Sequence, residues 1–169
     1  TCRDLAPSPG FRISQKLARR WTRRYSVQQD RGKRMPKTWR QKLESGKPAH
    51  VETLTKAFGG AAKGARMLVG TPRLIDSYMR KVPEGEARSV ARMRSDLAKA
   101  HKADIACPLS TSIFARIAAE AALEEMAQGK PVDAVTPFWR VIDEESPIAK
   151  RLSCGPDFIE MRRRLERRV

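Results

Sequence analysis

The stretch "STSIFARIAAEAALEEMAQGK" (residues 110–130) is the clearest helix signal in the sequence. Its interior is rich in alanine, leucine and glutamate, all of which are strong helix formers. Ser110 or Thr111 can cap its start, because a hydroxyl accepts a hydrogen bond from a free backbone N–H. Gly129 is suited to end it, since glycine readily adopts the left-handed conformation that follows many helices. The stretch therefore predicts one long helix.

Two shorter helices are predicted before this long one. In residues 71–82, Thr71 is the expected N-cap and Pro72 takes the first helical position. In residues 88–104, Ser89 is the expected N-cap, and apolar residues recur on one face. Breaks between the helices are predicted at residues 83–85 and 105–111.

The stretch "VTPFWRVID" (residues 135–143) follows the long helix and places two aromatics side by side in a chain that is 6% aromatic. We expect a strand entered through Pro137, then a turn, then a last helix that begins near Pro156. A winged helix-turn-helix has this order of elements: helix, turn, helix, long helix and strand hairpin. The predicted fold class is therefore mainly α with a small β-hairpin, formed by residues 71–169.

Residues 35–70 are predicted to be a Gly-rich lead-in to this domain. Thr38 to Leu43 can form one or two helical turns, and "ARMLVG" (residues 65–70) predicts a short strand or an extended segment.

Residues 1–34 differ from the rest, with ten Lys or Arg against two Asp. Basic residues alternate with Phe11, Leu17, Trp21 and Tyr25, which is a basic amphipathic pattern. Three interpretations remain open: an arm that touches DNA or a membrane, a transit-type presequence, or non-native sequence that precedes a natural start at Met35. We expect this extension to be poorly ordered by itself.

The net charge of +16 and the sequence pI of about 10.6 favour a polyanionic partner, either nucleic acid or an anionic membrane surface. No apolar run is long enough to span a membrane, and no secretory signal is visible. Cys2, Cys107 and Cys154 are odd in number and far apart, which favours a reducing compartment. Together with His50 and His101, the cysteines match no zinc spacing, so we expect no metal or cofactor. From the basic charge and the reducing compartment we expect a cytoplasmic, nucleoid-associated location.

Residues 71–166 resemble the C-terminal, DNA-binding domain of the O6-alkylguanine-DNA alkyltransferase family. Three stretches carry the resemblance in the same order as in that family. "VPEGEARSVARMRSDLA" (residues 82–98) is similar to its "IP-x-G" stretch and following helix, and "FARIAAEAA" (residues 114–122) is similar to its recognition helix. "TPFWRVID" (residues 136–143) falls where the family has its "PCHRV" active-site motif.

The resemblance implies that alkyl transfer is absent. In the family a cysteine thiolate accepts the alkyl group. A histidine forms this thiolate by removing the proton of the thiol through a water, and a glutamate orients the histidine. Phe138 falls at the cysteine position and Trp139 at the histidine position, and neither side chain can do this chemistry. Glu166 matches the orienting glutamate, but without a histidine to orient we expect it to be a surface charge.

Alkyltransferase-like proteins share this departure in part. They carry tryptophan at the cysteine position, usually in "PWHR", and they bind alkylated bases and flag them for excision repair. The resemblance therefore implies a non-enzymatic, monomeric protein that binds double-stranded DNA, with alkylated guanine recognised by base flipping and excision-repair proteins as partners. This chain has "PFWR", so the histidine is lost as well.

The resemblance also implies site residues. Arg116 matches the arginine that fills the space of a flipped base; a plain phosphate contact is the alternative. Val90 stands where the family has a tyrosine that helps to rotate the backbone. Phe138 faces a base pocket while Trp139 packs against the helices, or else Phe138 fills the pocket. The predicted DNA contacts are Arg116, Ser112, Ala115, Ala119, Arg88 and Arg92. The predicted base pocket is Pro137, Phe138, Trp139 and Arg140, of which Arg140 is expected to be structural.

Three alternative functions remain open. The chain can be a general winged-helix DNA-binding regulator without a lesion pocket, in which case the alanines of the long helix serve core packing. It can be an active methylated-DNA–cysteine methyltransferase that uses Cys107, which precedes the long helix. It can also be an interaction module whose basic face meets RNA or acidic protein.

Overall fold

The computed structural model describes residues 36–167, and the predictions for residues 1–34 lie outside this range. The described part is mainly α-helical with one small sheet, as predicted. The helices are α1 (Trp39–Glu44), α2 (Pro72–Arg80), α3 (Val90–Ala100), α4 (Pro108–Ala127) and α5 (Pro156–Glu166). The strands are β1 (His50–Thr53), β2 (Arg66–Val69) and β3 (Ile105–Ala106). Short 3-10 turns lie at Val132–Ala134, Phe138–Arg140 and Ala149–Arg151.

The predicted helix starts are confirmed at α2 and α3 and wrong at α4. The hydroxyls of Thr71 and Ser89 each accept a hydrogen bond from the backbone N–H three residues later, at 3.1 Å. Helix α4 begins at Pro108, ahead of the predicted caps, because the N-cap is Cys107. The hydroxyls of Ser110 and Thr111 instead donate back to the Cys107 carbonyl, at 3.4 and 2.7 Å.

The sheet has the order β1-β2-β3 and mixes two pairings. Strand β1 is antiparallel to β2, and β2 is parallel to the two-residue β3. Strand β2 is the predicted "ARMLVG" strand, whereas sequence reasoning missed β1 and β3. Between β1 and β2 the chain forms an arm of turns (residues 54–65) that ends in a tight turn, where Phe58 pairs with Ala61.

The predicted strand in residues 135–143 is wrong. The chain there forms a 3-10 turn at Phe138–Arg140, with Arg140 N–H bonded to the Pro137 carbonyl and Val141 N–H to the Phe138 carbonyl, both at 3.0 Å. A strand would alternate buried and exposed side chains, whereas five consecutive side chains from Val135 to Trp139 are buried. Among residues 36–167, no hairpin therefore follows α4.

Helix α4 is central to the packing of the domain. It contacts α1, α2, α3 and the turn at Phe138–Arg140. Its alanine side chains form the inner face, where their small size lets these neighbours approach closely. The fully or almost fully buried alanines are Ala115, Ala118, Ala119, Ala121 and Ala122.

Candidate nucleic-acid interface

The first three turns of α4 expose one stripe of side chains to solvent. Leu109 is 63% exposed and Ile113 is 48% exposed, while Ser112 and Arg116 are partly exposed. These positions share a face because residues three and four apart lie above one another on a helix. No acidic residue occurs between Pro108 and Ala119. This α4 stripe (Leu109, Ser112, Ile113 and Arg116) is thus apolar with one cation.

Arg116 lies at the end of the stripe nearest the helix middle. Its Nε is 4.0 Å from Glu120 Oε1, and its guanidinium carbon is 5.6 Å from the centroid of the Trp39 ring. Its Nε is buried and has no hydrogen-bond partner within the described residues. The side chain as a whole is 40% exposed, so the part of the guanidinium that faces solvent is the part that an external anion can reach.

Three further predicted contacts on α4 have different outcomes. Ala115 and Ala119 are completely buried in the core, so their prediction as DNA contacts is wrong. The inner face of the helix is where small residues are needed for packing. Ser112 lies on the stripe, but its hydroxyl donates to the Pro108 carbonyl at 2.9 Å.

Arg88 and Arg92 belong to a polar cluster that joins α2 to α3. Tyr78 donates its hydroxyl to Asp96 Oδ2 at 2.6 Å, and Arg92 pairs with Asp96 at 2.9 Å. Arg88 donates to the Tyr78 oxygen at 3.4 Å. Hydrogen bonding from Tyr78 lowers the pKa of Asp96, with a smaller contribution from Arg92. Asp96 therefore stays charged and holds both its partners, while the exposed Arg92 retains free donors toward solvent.

Phe138 does not face an open pocket. It is 0% exposed, it stacks on Phe158 with centroids 6.0 Å apart and planes inclined by 18°, and its edge meets Trp139 at 5.3 Å. The expectation that Phe138 lines a base pocket is therefore wrong, and the complete burial of its ring against Phe158 fits the alternative in which Phe138 fills that space. Trp139 packs against α5, as expected.

Glu166 is buried, so its prediction as a surface charge is wrong. Its carboxylate accepts a hydrogen bond from Trp139 Nε1 at 2.6 Å and from Arg140 Nε at 2.9 Å. Arg140 also donates to the Val82 carbonyl at 2.8 Å, which confirms its structural role. Burial by itself would raise the pKa of Glu166, but the hydrogen bonds from Arg140 and Trp139 outweigh it, and the pKa is lowered.

A small polar cavity of about 240 Å³ lies beside this group. Pro137, Trp139 and Arg140 line it, and Phe138 does not. Its remaining lining residues come from the end of α2, the turn after it and the segment that follows α4: Arg80, Glu84, Val132, Asp133 and Val135. The structure thus brings three of the four predicted pocket residues to one cavity. The charged groups that line this cavity are already close to protein partners; Arg80, for example, is 3.0 Å from Asp76.

Neither cysteine of the described residues is arranged as a nucleophile. Cys107 is buried against Leu54 and Met67. Burial raises the pKa of the Cys154 thiol to about 12, with a further increase from the charge of Glu120, so this thiol stays protonated at neutral pH. Across residues 36–167, no group of His, Cys, Asp and Glu is placed to hold a metal ion.

None of the described helices has the length and apolar character needed to cross a membrane. Comparison of the chain with known proteins found no matching family model, no matching curated protein and no matching solved structure.

Proposed function

We propose that this protein binds duplex DNA without acting on it chemically, with α3 and α4 serving as a helix-turn-helix and α4 as the helix that enters a groove. The observation that carries the proposal is the solvent-exposed α4 stripe, which lies in the half of the helix that has no acidic residue. A helix that lies in a groove must present an uncharged or cationic face to the phosphates, and a face with apolar side chains can meet base edges.

The charge of the chain supports the same proposal. The net charge of +16 gives a field that attracts polyanions over a long range. The acidic residues of α4 occur in its C-terminal half, at Glu120, Glu124 and Glu125, where they bond to protein groups. Helix α4 is thus divided between a DNA-facing start and a protein-facing end.

The proposal can be tested by fluorescence anisotropy on a labelled duplex, with the full chain and a series of salt concentrations. Arg116→Ala is expected to weaken binding about fivefold and to lower the slope of log affinity against log salt by about one. Arg80→Ala is the matched control, because both arginines are about two-fifths exposed and pair with a buried acid one turn away. Equal losses for both variants, or no binding by the wild type, would contradict the proposal.

A second candidate is recognition of alkylated guanine, as the resemblance to the alkyltransferase family implies. The hydrogen bond from Trp139 to Glu166 favours it, because it joins the two positions at which that family has its histidine and glutamate. The stacking of Phe138 on Phe158 weighs against it, since no space is left at the cysteine position. We expect duplexes with and without O6-methylguanine to bind equally at matched salt, and a tenfold preference for the lesion would establish the second candidate.

A further inference from the structure

The arm (residues 54–65) is a structured element rather than a loose loop. Its tip is closed by two hydrogen bonds, from Phe58 N–H to the Ala61 carbonyl and from Ala61 N–H to the Phe58 carbonyl, each at 3.0 Å. Gly59 and Gly60 have φ of +63° and +91°, the left-handed values that a two-residue hairpin turn requires. The arm therefore holds Phe58 at a defined place.

Both ends of the arm are attached to the start of α4. At its base, Leu54 is buried with Met67 and with Cys107, the N-cap of α4. At its tip, a Cβ on Gly59 would lie 3.0 Å from Cδ of Pro108, the first residue of α4. The arm tip therefore lies against the first turn of α4, the turn that also carries Leu109, and we call the arm and the α4 stripe together the arm–α4 surface.

This surface carries most of the large apolar side chains that are exposed. Within residues 36–167, five such side chains are exposed, and Phe58, Leu109 and Ile113 are three of them. Phe58 is 42% exposed although it is a large aromatic at a hairpin tip. Exposed apolar side chains are unfavourable in water, so three of them on the arm and on the helix start against which the arm lies indicate a binding surface.

The charges around these apolar groups fit a polyanion. The arm contains Lys56 and Lys63, both exposed, and no acidic residue. The adjacent stripe contributes Arg116 and again no acidic residue up to Ala119. An apolar centre with cations around it is complementary to a duplex groove, where base edges lie between two rows of phosphates.

We infer that the arm is a second DNA-contacting element that works beside α4. Phe58 enters the groove as an apolar wedge against the base edges, while Lys56 and Lys63 contact phosphates. This inference rests on the proposed function and deepens it, because it assigns the role of a wing to a hairpin that precedes the helix pair.

The test compares Phe58→Ala with Leu165→Ala in the full chain. Both side chains are 42% exposed and neither belongs to the buried core, so the two truncations are matched for exposure. Phe58→Ala is expected to weaken duplex binding about tenfold, in line with the loss of one base–aromatic contact, without changing the salt slope. Lys56→Ala and Lys63→Ala are each expected to lower the salt slope by about one, because each removes one phosphate contact.

The outcomes separate this inference from the proposed function. If the wild type binds duplex DNA and depends on Arg116, but Phe58→Ala binds like Leu165→Ala, the role of the arm is overturned and the proposed function stands. If the wild type does not bind duplex DNA, both fail. Binding that depends on Phe58 only with phosphatidylserine vesicles, or only with single-stranded RNA, would also overturn the inference and would assign the surface to a membrane or to RNA.

Discussion

The start of α4 and the turn at Phe138–Arg140 make opposite use of their apolar residues. The first exposes Leu109 and Ile113 to solvent, whereas the second buries Phe138 and Trp139 almost completely. The second also carries "PFWR", one of the three stretches in which the sequence resembles a DNA-repair family. The comparison teaches that neighbouring apolar residues can serve the core in one segment and remain at the surface in another, and the proposed function depends on the second kind.

The largest expected effect that sharpens this comparison is the loss of stability in Trp139→Ala. The substitution removes a fully buried ring, its hydrogen bond to Glu166 and its contact with the Arg162 guanidinium at 4.8 Å. The free energy of unfolding should fall by about 3–5 kcal/mol, as for other buried aromatic truncations. Urea unfolding followed by circular dichroism measures it, and a fall below about 1 kcal/mol would show that the ring is not part of the core.

Glu166→Gln should have the next largest effect, and this effect depends on pH. It leaves the mostly buried Arg140 without its carboxylate, which should lower the free energy of unfolding by about 3 kcal/mol at pH 6. Because the folded-state pKa of Glu166 lies below its ordinary value of 4.5, the carboxylate stabilises the fold above that pH. The contribution is lost as the pH falls through the folded-state pKa.

The difference between wild type and Glu166→Gln should therefore shrink between pH 6 and pH 3, as measured by chemical unfolding at each pH. Glu160→Gln is the control on the same helix, since Glu160 is exposed and its partner among residues 36–167 is the exposed Arg164. It should change stability by less than about 0.5 kcal/mol at any pH. A difference for Glu166→Gln that stays constant with pH would contradict the buried ion pair.

A smaller effect is expected at the arm, where Gly59→Ala and Gly60→Ala can be compared. Both glycines have positive φ, so either alanine costs about 1 kcal/mol of strain. At Gly59 the new methyl group also meets the rigid Pro108 ring, whereas the space at Gly60 is open. Gly59→Ala should therefore destabilise by about 1 kcal/mol more than Gly60→Ala in thermal unfolding, and equal effects would show that the arm does not rest on α4.

The smallest expected effect is none at all. After incubation with O6-methylguanine DNA, peptide mass spectrometry should find no methyl group on either cysteine of the described residues, because Cys107 is buried in a packed cluster and the Cys154 thiol has a pKa of about 12. An added methyl group in the mass spectrum would restore the methyltransferase alternative.

Local signals in the sequence were sufficient for most of the helices. Thr71, Pro72, Ser89 and Pro156 mark helix starts through their own hydroxyls or fixed φ angles, so they act without help from distant residues. The strands β1 and β3 are short and lie in Gly-rich or broken stretches, and only their pairing with β2 defines them.

The site residues depend more on tertiary contacts, and there the sequence was a weaker guide. The turn at Phe138–Arg140 is held by Glu166, 27 positions after Trp139 in the chain, and no local pattern contains that contact. Glu166 was expected at the surface because no histidine remained to bond with it, but an indole N–H is also a donor. Arg116 was predicted as a DNA contact from the sequence and lies on the α4 stripe, whereas no local pattern pointed to Phe58, because its exposure follows from the arm turn.

The affinity of Ile113→Glu for duplex DNA, measured beside that of Leu165→Glu, tests the central claim most directly. Both substitutions place one negative charge at a similarly exposed apolar position, so they change the net charge equally. If the α4 stripe meets DNA, Ile113→Glu should weaken binding at least tenfold, while Leu165→Glu should weaken it by no more than about twofold. Equal losses for the two variants, with both folded by circular dichroism, would contradict a DNA-binding role for the start of α4.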